Sequence, residues 1–274
     1  MWIIARYLPV APFSLKPAAA TSSGGKTLLA PTPYAIKMAL LDSAIRTMGV
    51  SEGEQLFPSL CNLTVQIALP EDILVFKSFS KSWRPVESKE AQKKDETREE
   101  FEARQREKLA DRIERGQYPL YSTIAYREYV YYRDTFQLAF TSPDEKSLPT
   151  ELPRLLTCIN YLGKRGGFIQ IMEPPRQIDQ LPEGLFTELT PDSLGEFHRD
   201  GTLQVLDDCD KSLTFQRANI YSSERITVGK DLSCSMSIVA RRCVGIFFKQ
   251  YGSGFVTIKP LPPAQIAHYM LCAL

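Results

Sequence analysis

The sequence predicts an α+β protein whose first elements follow the order βαββαβ once a long insertion is set aside. Three observations carry this prediction. Residues 2–10 and 63–69 are short strand-like segments, residues 32–49 have the periodicity of a capped helix, and residues 122–140 are rich in aromatic and β-branched residues. Since 43% of the 274 residues are hydrophobic, a packed core is expected.

The first predicted helix begins after Thr32 and ends at Gly49. Thr32 is a favoured N-cap residue, Pro33 fits the first helical position, and glycine is common just past a helix end. Between them, apolar residues recur at steps of three and four, at Ala35, Met38, Leu41, Ile45 and Met48. This spacing predicts one apolar helix face. Residues 63–69 then alternate apolar and polar side chains, which predicts a half-buried strand.

A second helix is predicted over about residues 151–162, followed by a strand over residues 168–172. The glycine-rich segment Gly163–Gly167 lies between them and carries two cations. It suits a helix C-cap with favourable charges, and it equally suits a phosphate contact. This order of elements is that of the ferredoxin-like or RNA-recognition fold, whose exposed sheet face can bind RNA.

Three regions are therefore predicted: a palm over residues 1–175, an inserted segment over about residues 77–133, and a β-rich C-terminal region over residues 176–274. Residues 87–115 are almost entirely charged, which predicts a solvated helix with ion pairs between successive turns. Short strands are expected in the C-terminal region at residues 202–206, 213–219, 235–239, 244–249 and 255–258.

The segment of residues 122–140 is the most informative one for function. With a period of two, one strand face carries Arg127, Tyr129, Tyr131 and Arg133. The other face carries Ile124, Tyr126, Glu128, Val130 and Tyr132. Alternating guanidinium and phenol groups suit single-stranded RNA, because arginine neutralises phosphate and tyrosine stacks on a base. An exposed sheet face without a ligand is the alternative.

Several function classes are disfavoured by composition. With 33 basic and 32 acidic residues, the chain has no overall attraction for nucleic acid, so any binding must be local. Six scattered cysteines and only His198 and His268 argue against a zinc site and for a reduced, cytoplasmic protein without a cofactor. Gly25-Lys26-Thr27 is not a nucleotide-hydrolysing P-loop, because Ala20 stands where that motif needs glycine. No membrane span and no catalytic set of residues are predicted.

Five segments occur in a recognisable order over roughly residues 2–172. They are an N-terminal strand, P-T-P-Y-A-I-K-M-A-L-L-D-S-A-I, V-Q-I-A-L-P, Y-R-E-Y-V after the insertion, and N-Y-L-G-K-R-G-G. In this order they resemble the fifth-numbered Cas protein family of the RAMP superfamily (repeat-associated mysterious proteins), found in type I CRISPR Cascade complexes of antiviral defence.

The resemblance implies a ferredoxin-like palm and an inserted thumb that binds the 5′ handle of the crRNA. It also implies contacts with the Cascade backbone subunit, with the large subunit, and with target DNA near the adjacent motif. The insertion here is longer and more helical than a plain β-hairpin thumb.

On this basis, phosphate contacts are expected from Lys26, Arg84, Arg127, Lys164 and Arg165. Base stacking is expected from Trp83, Tyr126 and Tyr129. No catalytic residue, metal or cofactor is expected. Two alternatives stay open: a metal-independent endoribonuclease that processes repeat RNA, and a protein-interaction subunit whose charged helix binds a partner without RNA.

Overall fold

The fold was analysed in a computed structural model. It describes residues 1–16, 26–85, 91–117, 120–142, 148–163, 166–189, 202–219, 222–224, 226–227, 230–240 and 243–246. The predicted strand at residues 255–258 lies outside these ranges. The mixture of helices and antiparallel sheets confirms the α+β prediction.

The elements of the described residues run in the following order. They are β1 Trp2–Pro9, α1 Pro33–Met48, α2 Val50–Cys61, β2 Thr64–Ala68, β3 Ile73–Pro85, α3 Arg98–Glu114, β4 Leu120–Tyr132, β5 Phe136–Thr141, α4 Leu152–Cys158, β6 Ile169–Ile171, β7 Arg176–Ile178, β8 Thr187–Glu188, β9 Thr202–Cys209, α5 Phe215–Ala218, β10 Leu232–Ala240 and β11 Cys243–Ile246. The chain divides into two compact units, one of residues 1–77 and 128–274 and one of residues 78–127.

A six-stranded sheet forms the centre of the first unit. Its order is β6-β1-β5-β2-β8, and β7 pairs with the start of β1. Each of these pairings is antiparallel, with Tyr7 opposite Phe136 and Ile67 opposite Leu138. The Tyr7 hydroxyl donates a 2.7 Å hydrogen bond to the Leu156 carbonyl of α4, so α4 packs on the face that carries Tyr7. The side chains of this face are almost fully buried and form the core.

Helix α1 has the predicted boundaries. The Thr32 hydroxyl accepts a 3.1 Å hydrogen bond from the Ala35 amide, and Gly49 has a φ of 105°, a conformation that favours glycine. The buried side is centred on Ile36 and Leu40, which are fully buried, whereas Met38, Ile45 and Met48 of the predicted apolar face are only half-buried. Helix α2 follows directly after Gly49 and was not predicted.

Four sequence-based boundaries are corrected by the structure. Residues 122–140 are not one strand, because β4 and β5 belong to different sheets. The charged helix begins only at Arg98, where Thr97 and Glu100 form a reciprocal capping box. Helix α4 ends at Cys158, several residues before the predicted end. Residues 215–218 form the short helix α5 instead of a strand.

The second unit contains α3 and the distal parts of β3 and β4. Helix α3 has no buried residue among those described, and successive turns are joined by ion pairs such as Arg98–Glu102 and Arg115–Asp111. Arg104 makes a bidentate pair with Glu96 at 2.7 and 2.8 Å, which holds the segment before the helix against it. A solvated, ion-paired helix is what the sequence predicts for the middle of this segment.

Gly163 closes a tight turn rather than a helix. The Leu162 amide donates to the Gly167 carbonyl at 2.9 Å, and Tyr161 forms a β-bridge with Phe168. Gly163 has a φ of 69°, and an added Cβ would lie 2.5 Å from Leu15 Cδ2. Because both the backbone and the neighbouring side chain oppose a larger residue, Gly163→Ala is expected to lower the free energy of unfolding by about 1–3 kcal/mol.

Urea unfolding checks this expectation, and two other glycines serve as controls. Gly184→Ala tests the backbone effect alone, since φ is 71° and nothing lies near an added Cβ. Gly166→Ala tests neither effect and should unfold like the unmodified protein, because the space around it is open. Equal losses at Gly163 and Gly166 would contradict the strain argument.

Candidate nucleic-acid interface

A three-stranded sheet in the order β11-β3-β4 carries the Tyr/Arg segment. Side-chain contacts indicate that β3 and β4 are antiparallel, because residues later in β3 contact residues earlier in β4. Phe76 contacts Tyr129, Lys77 contacts Glu128, and Asp72, just before β3, contacts Arg133, just after β4. Strand β11 pairs with Ile73–Phe76 in parallel on the other side of β3.

The two faces of this sheet differ in burial within the first unit. Ile73, Val130 and Tyr132 point into the core and are at most 2% exposed. The opposite face carries Phe76, Tyr129 and Tyr131, which we call the aromatic face. In the first-unit part of β4, burial therefore alternates from residue to residue: Val130 and Tyr132 face the core, and Tyr129 and Tyr131 face away from it.

The aromatic face is preorganised by a ring contact. The rings of Phe76 and Tyr129 are stacked, with centroids 5.7 Å apart and an angle of 20° between their planes. Such pairs stabilise by about 0.5–1.5 kcal/mol beyond the burial of their area, so the Tyr129 ring is held in a defined orientation. Tyr131 is 41% exposed on the same side.

Charge lies at one end of this face. Arg133 is exposed, and its guanidinium is 3.8 Å from the exposed carboxylate of Asp72. A long, exposed ion pair of this kind contributes about 0–1 kcal/mol, so Arg133 can exchange Asp72 for another anion at little cost. Arg127, two residues before Tyr129 on β4, is half-buried.

Thr27 is held beside β4 through Glu128. One carboxylate oxygen of Glu128 accepts a 3.1 Å hydrogen bond from the Thr27 amide, and the other lies 3.5 Å from Lys77 Nζ. The Thr27 hydroxyl accepts from the Leu15 amide at 2.9 Å. The loop between Leu15 and Thr27 therefore has its described ends anchored on β4, and Lys26 is exposed next to this anchor.

Neither of two buried tyrosines in the first unit is suited to acid–base chemistry. Burial raises the pKa of Tyr132 far above its ordinary value, and its hydroxyl donates to the Leu29 carbonyl. Burial likewise raises the pKa of Tyr7. Among the described residues, no group of three or more His, Cys, Asp and Glu side chains could hold a metal ion. No helix in the described ranges has the length and apolar character needed to cross a membrane.

Comparison with known proteins gives structural neighbours only. No family model and no curated protein matches the chain. A crystal structure of a CRISPR protein from Archaeoglobus fulgidus matches at 8% identity and a TM-score of 0.34, covering 63% of this chain and 62% of that chain. A chain of a CRISPR RNA-guided surveillance complex matches at 12% identity and a TM-score of 0.41, covering 87% of this chain and 91% of that chain.

At these identities and TM-scores the likeness does not by itself assign a family or an activity. This chain spans about three fifths (62%) of the first of the two neighbours.

The residues predicted to bind RNA fall into three groups. Lys26 and Tyr129 lie in the first unit. Lys26 precedes Thr27 and Tyr129 follows Glu128, and Thr27 and Glu128 are joined by a hydrogen bond. Trp83, which is 66% exposed, and Arg127 belong to the second unit. Arg84 and Tyr126 lie on described strands, but their side chains are outside the described part of the structure, and Lys164 and Arg165 lie outside it entirely. His198 and His268, which were not predicted to bind RNA, also lie outside the described residues.

Phe76 is a site residue that sequence reasoning missed. The inserted segment was predicted to start at about residue 77, directly after Phe76, and Phe76 itself was not named. The available signal was that two runs rich in aromatic and β-branched residues lie on either side of the charged helix, since such runs predict strands. Applied to residues 73–85 and 120–132, that signal would have matched Phe76 with the Tyr129 region.

Proposed function

We propose that this chain is a non-catalytic RNA-binding subunit of a type I CRISPR surveillance complex. In this role it holds the 5′ handle of the crRNA and contacts the backbone and large subunits of the complex. The observation that carries the proposal is the aromatic face, with the stacked Phe76–Tyr129 pair, exposed Tyr131 and adjacent Arg133. Unpaired bases stack on such rings, and nearby cations neutralise their phosphates.

The topology supports the proposal. In chain order, β1, β2, β5 and β6 are the four strands of the predicted palm, and they lie in the sheet as β6-β1-β5-β2. With α1 after β1 and α4 after β5, this strand order supports the proposal of a ferredoxin-like palm. Three of the five sequence segments described above lie on these elements: the N-terminal strand is β1, P-T-P-Y-A-I-K-M-A-L-L-D-S-A-I lies at α1, and V-Q-I-A-L-P lies at β2. Y-R-E-Y-V lies on β4 of the other sheet.

The second unit supports a role in protein contact. Leu109 and Ile113, one turn apart on α3, are exposed, as are Leu120 and Ile124 on β4. A subunit inside a ribonucleoprotein exposes apolar side chains when it is separated from its neighbours. The balanced net charge of +1 agrees with a protein that contacts few phosphates.

The first experiment is purification of the chain with its complex from cells that express a CRISPR array. A bound RNA with a uniform 5′ end is expected. Recovery of the intact complex without RNA would contradict the proposal, as would RNA with random ends. Incubating the purified chain with repeat RNA in EDTA tests the endoribonuclease alternative: no discrete cut is expected, and a cut abolished by His198→Ala would establish that alternative instead.

A second experiment measures how binding depends on salt. Arg133→Gln is expected to weaken binding to single-stranded repeat RNA and to reduce the slope of log K against log salt by about 0.7, because one phosphate contact is lost. Arg127→Gln should behave in the same way. Fluorescence anisotropy over a salt series checks both.

Arg98→Gln is the matched control, since Arg98 is an exposed arginine of α3 that pairs with Glu102. Its slope should equal that of the unmodified chain. If Arg133→Gln and Arg98→Gln have the same slope, the aromatic face is not where phosphate is bound.

A further inference from the structure

Two cysteines that are far apart in sequence converge behind α1. Cys61 is the last residue of α2, and Cys209 is the last residue of β9. Cys61 is the largest cause of the raised pKa of the Cys209 thiol. Both are free and partly buried rather than sealed in the core.

A buried lysine fixes the two backbones beside each other. Lys37 Nζ donates a 2.8 Å hydrogen bond to the Cys61 carbonyl and lies 2.7 Å from Asp208 Oδ1. The same Asp208 oxygen accepts a 2.7 Å hydrogen bond from the Cys209 amide. A chain of polar contacts through Lys37 and Asp208 therefore joins the two cysteine backbones.

We propose that Cys61 and Cys209 are a disulfide-forming pair, through which an oxidant ties β9 covalently to the C-terminal end of α2. A disulfide needs Cα atoms about 4.4–6.8 Å apart, and both cysteine backbones contact the same Lys37–Asp208 ion pair. This is an oxidative modification site separate from the aromatic face, and it does not depend on the proposed function.

The chemistry is a two-step exchange with a low-molecular-weight disulfide such as oxidised glutathione. The Cys61 thiol loses its proton, and the thiolate attacks one sulfur of the oxidant, forming a mixed disulfide and releasing one glutathione thiolate. The Cys209 thiol then loses its proton and attacks the Cys61 sulfur, which releases the second glutathione thiolate. Two protein thiols are oxidised, one glutathione disulfide is reduced, and the two protons end on the released thiolates.

The environment sets the order of these steps. The hydrogen bond to Cys61 and burial raise the pKa of Cys209, so its thiol stays protonated and is a poor initial nucleophile. We therefore expect Cys61 to react first and Cys209 to resolve the mixed disulfide.

The test uses the full chain, treated with oxidised glutathione and then alkylated under denaturing conditions. The expected result is loss of two of the six thiols, a Cys61–Cys209 cross-linked peptide in mass spectrometry, and a melting temperature raised by about 5–10 °C, because the new bond closes a long loop of the unfolded chain. Reduction by dithiothreitol should reverse all three changes.

Three variants complete the test. Cys158→Ser, which changes another partly buried thiol, should leave the cross-link unchanged, whereas Cys209→Ser should stop the reaction of Cys61 at the mixed disulfide. Cys209→Ala repeats that test if the serine variant does not fold. The proposal is overturned if Cys61 and Cys209 both stay reduced in the folded chain, or if either one is cross-linked mainly to a different cysteine.

Discussion

Lys37→Met is expected to lower the free energy of unfolding by about 3–5 kcal/mol, one of the largest losses available to a single substitution in this chain. Lys37 is only 2% exposed, and its ammonium contacts the buried Asp208 carboxylate at 2.7 Å and the Cys61 carbonyl at 2.8 Å. Removing the ammonium leaves a buried carboxylate without its counter-charge and a carbonyl without its donor. Urea unfolding followed by circular dichroism measures the loss.

The matched control removes both charges. Asp208→Asn keeps an oxygen that can accept from the Cys209 amide but carries no charge, so the double variant Lys37→Met/Asp208→Asn should recover more than half of the lost stability. If the double variant is as unstable as the sum of the two single variants, the two side chains do not act as an ion pair.

The loss should also depend on pH. Burial raises the pKa of Asp208 above 3.8, even though Lys37 opposes this shift. A carboxyl whose pKa is raised in the folded state favours folding most below its ordinary pKa, and this contribution is lost as the pH rises through the raised value. Without Lys37 that pKa rises further. The deficit of Lys37→Met relative to the unmodified chain should therefore be smallest in acid and grow toward neutral pH.

Local signals explain which parts of the fold could be predicted. The boundaries of α1 follow from Thr32 and Gly49, because capping and left-handed backbone are properties of single residues. Strands β1, β2 and β6 were also predicted from local signals, since each is a short run of apolar residues or of alternating apolar and polar residues. The burial of Ile36 and Leu40 was not predicted, because α1 packs against several elements at once, and a helix with more than one buried side has no single apolar stripe.

Tertiary structure explains what could not be predicted. Nothing local in residues 122–140 indicates that the chain leaves one sheet and enters another at Arg133-Asp134-Thr135. From the sequence alone, Lys37 is expected to be an exposed polar helix residue. It is buried and paired with Asp208 because β9, which is distant in sequence, packs against α1. The Tyr/Arg alternation of β4 was readable, whereas its partner Phe76 depends on how β3 pairs with β4.

Tyr129→Ala is expected to weaken binding of single-stranded repeat RNA by about 5- to 150-fold, which corresponds to the 1–3 kcal/mol of one base–aromatic stack. The Tyr129 ring is half-buried against Phe76, and this contact holds it in a fixed plane before any ligand arrives. A base that stacks there gains contact area without the cost of ordering the ring. Fluorescence anisotropy at one fixed salt concentration measures the change.

Two further variants separate stacking from other effects. Tyr129→Phe keeps the ring and should bind nearly as well as the unmodified chain, whereas Phe76→Ala removes the support of the ring and should have an intermediate effect. Because none of these side chains is charged, the salt slope should stay the same in all three variants, in contrast to Arg133→Gln. A folded Tyr129→Ala variant with unchanged affinity would rule out the aromatic face as the base-stacking surface. A loss of equal size in Tyr129→Phe would mean that the hydroxyl rather than the ring contacts the RNA.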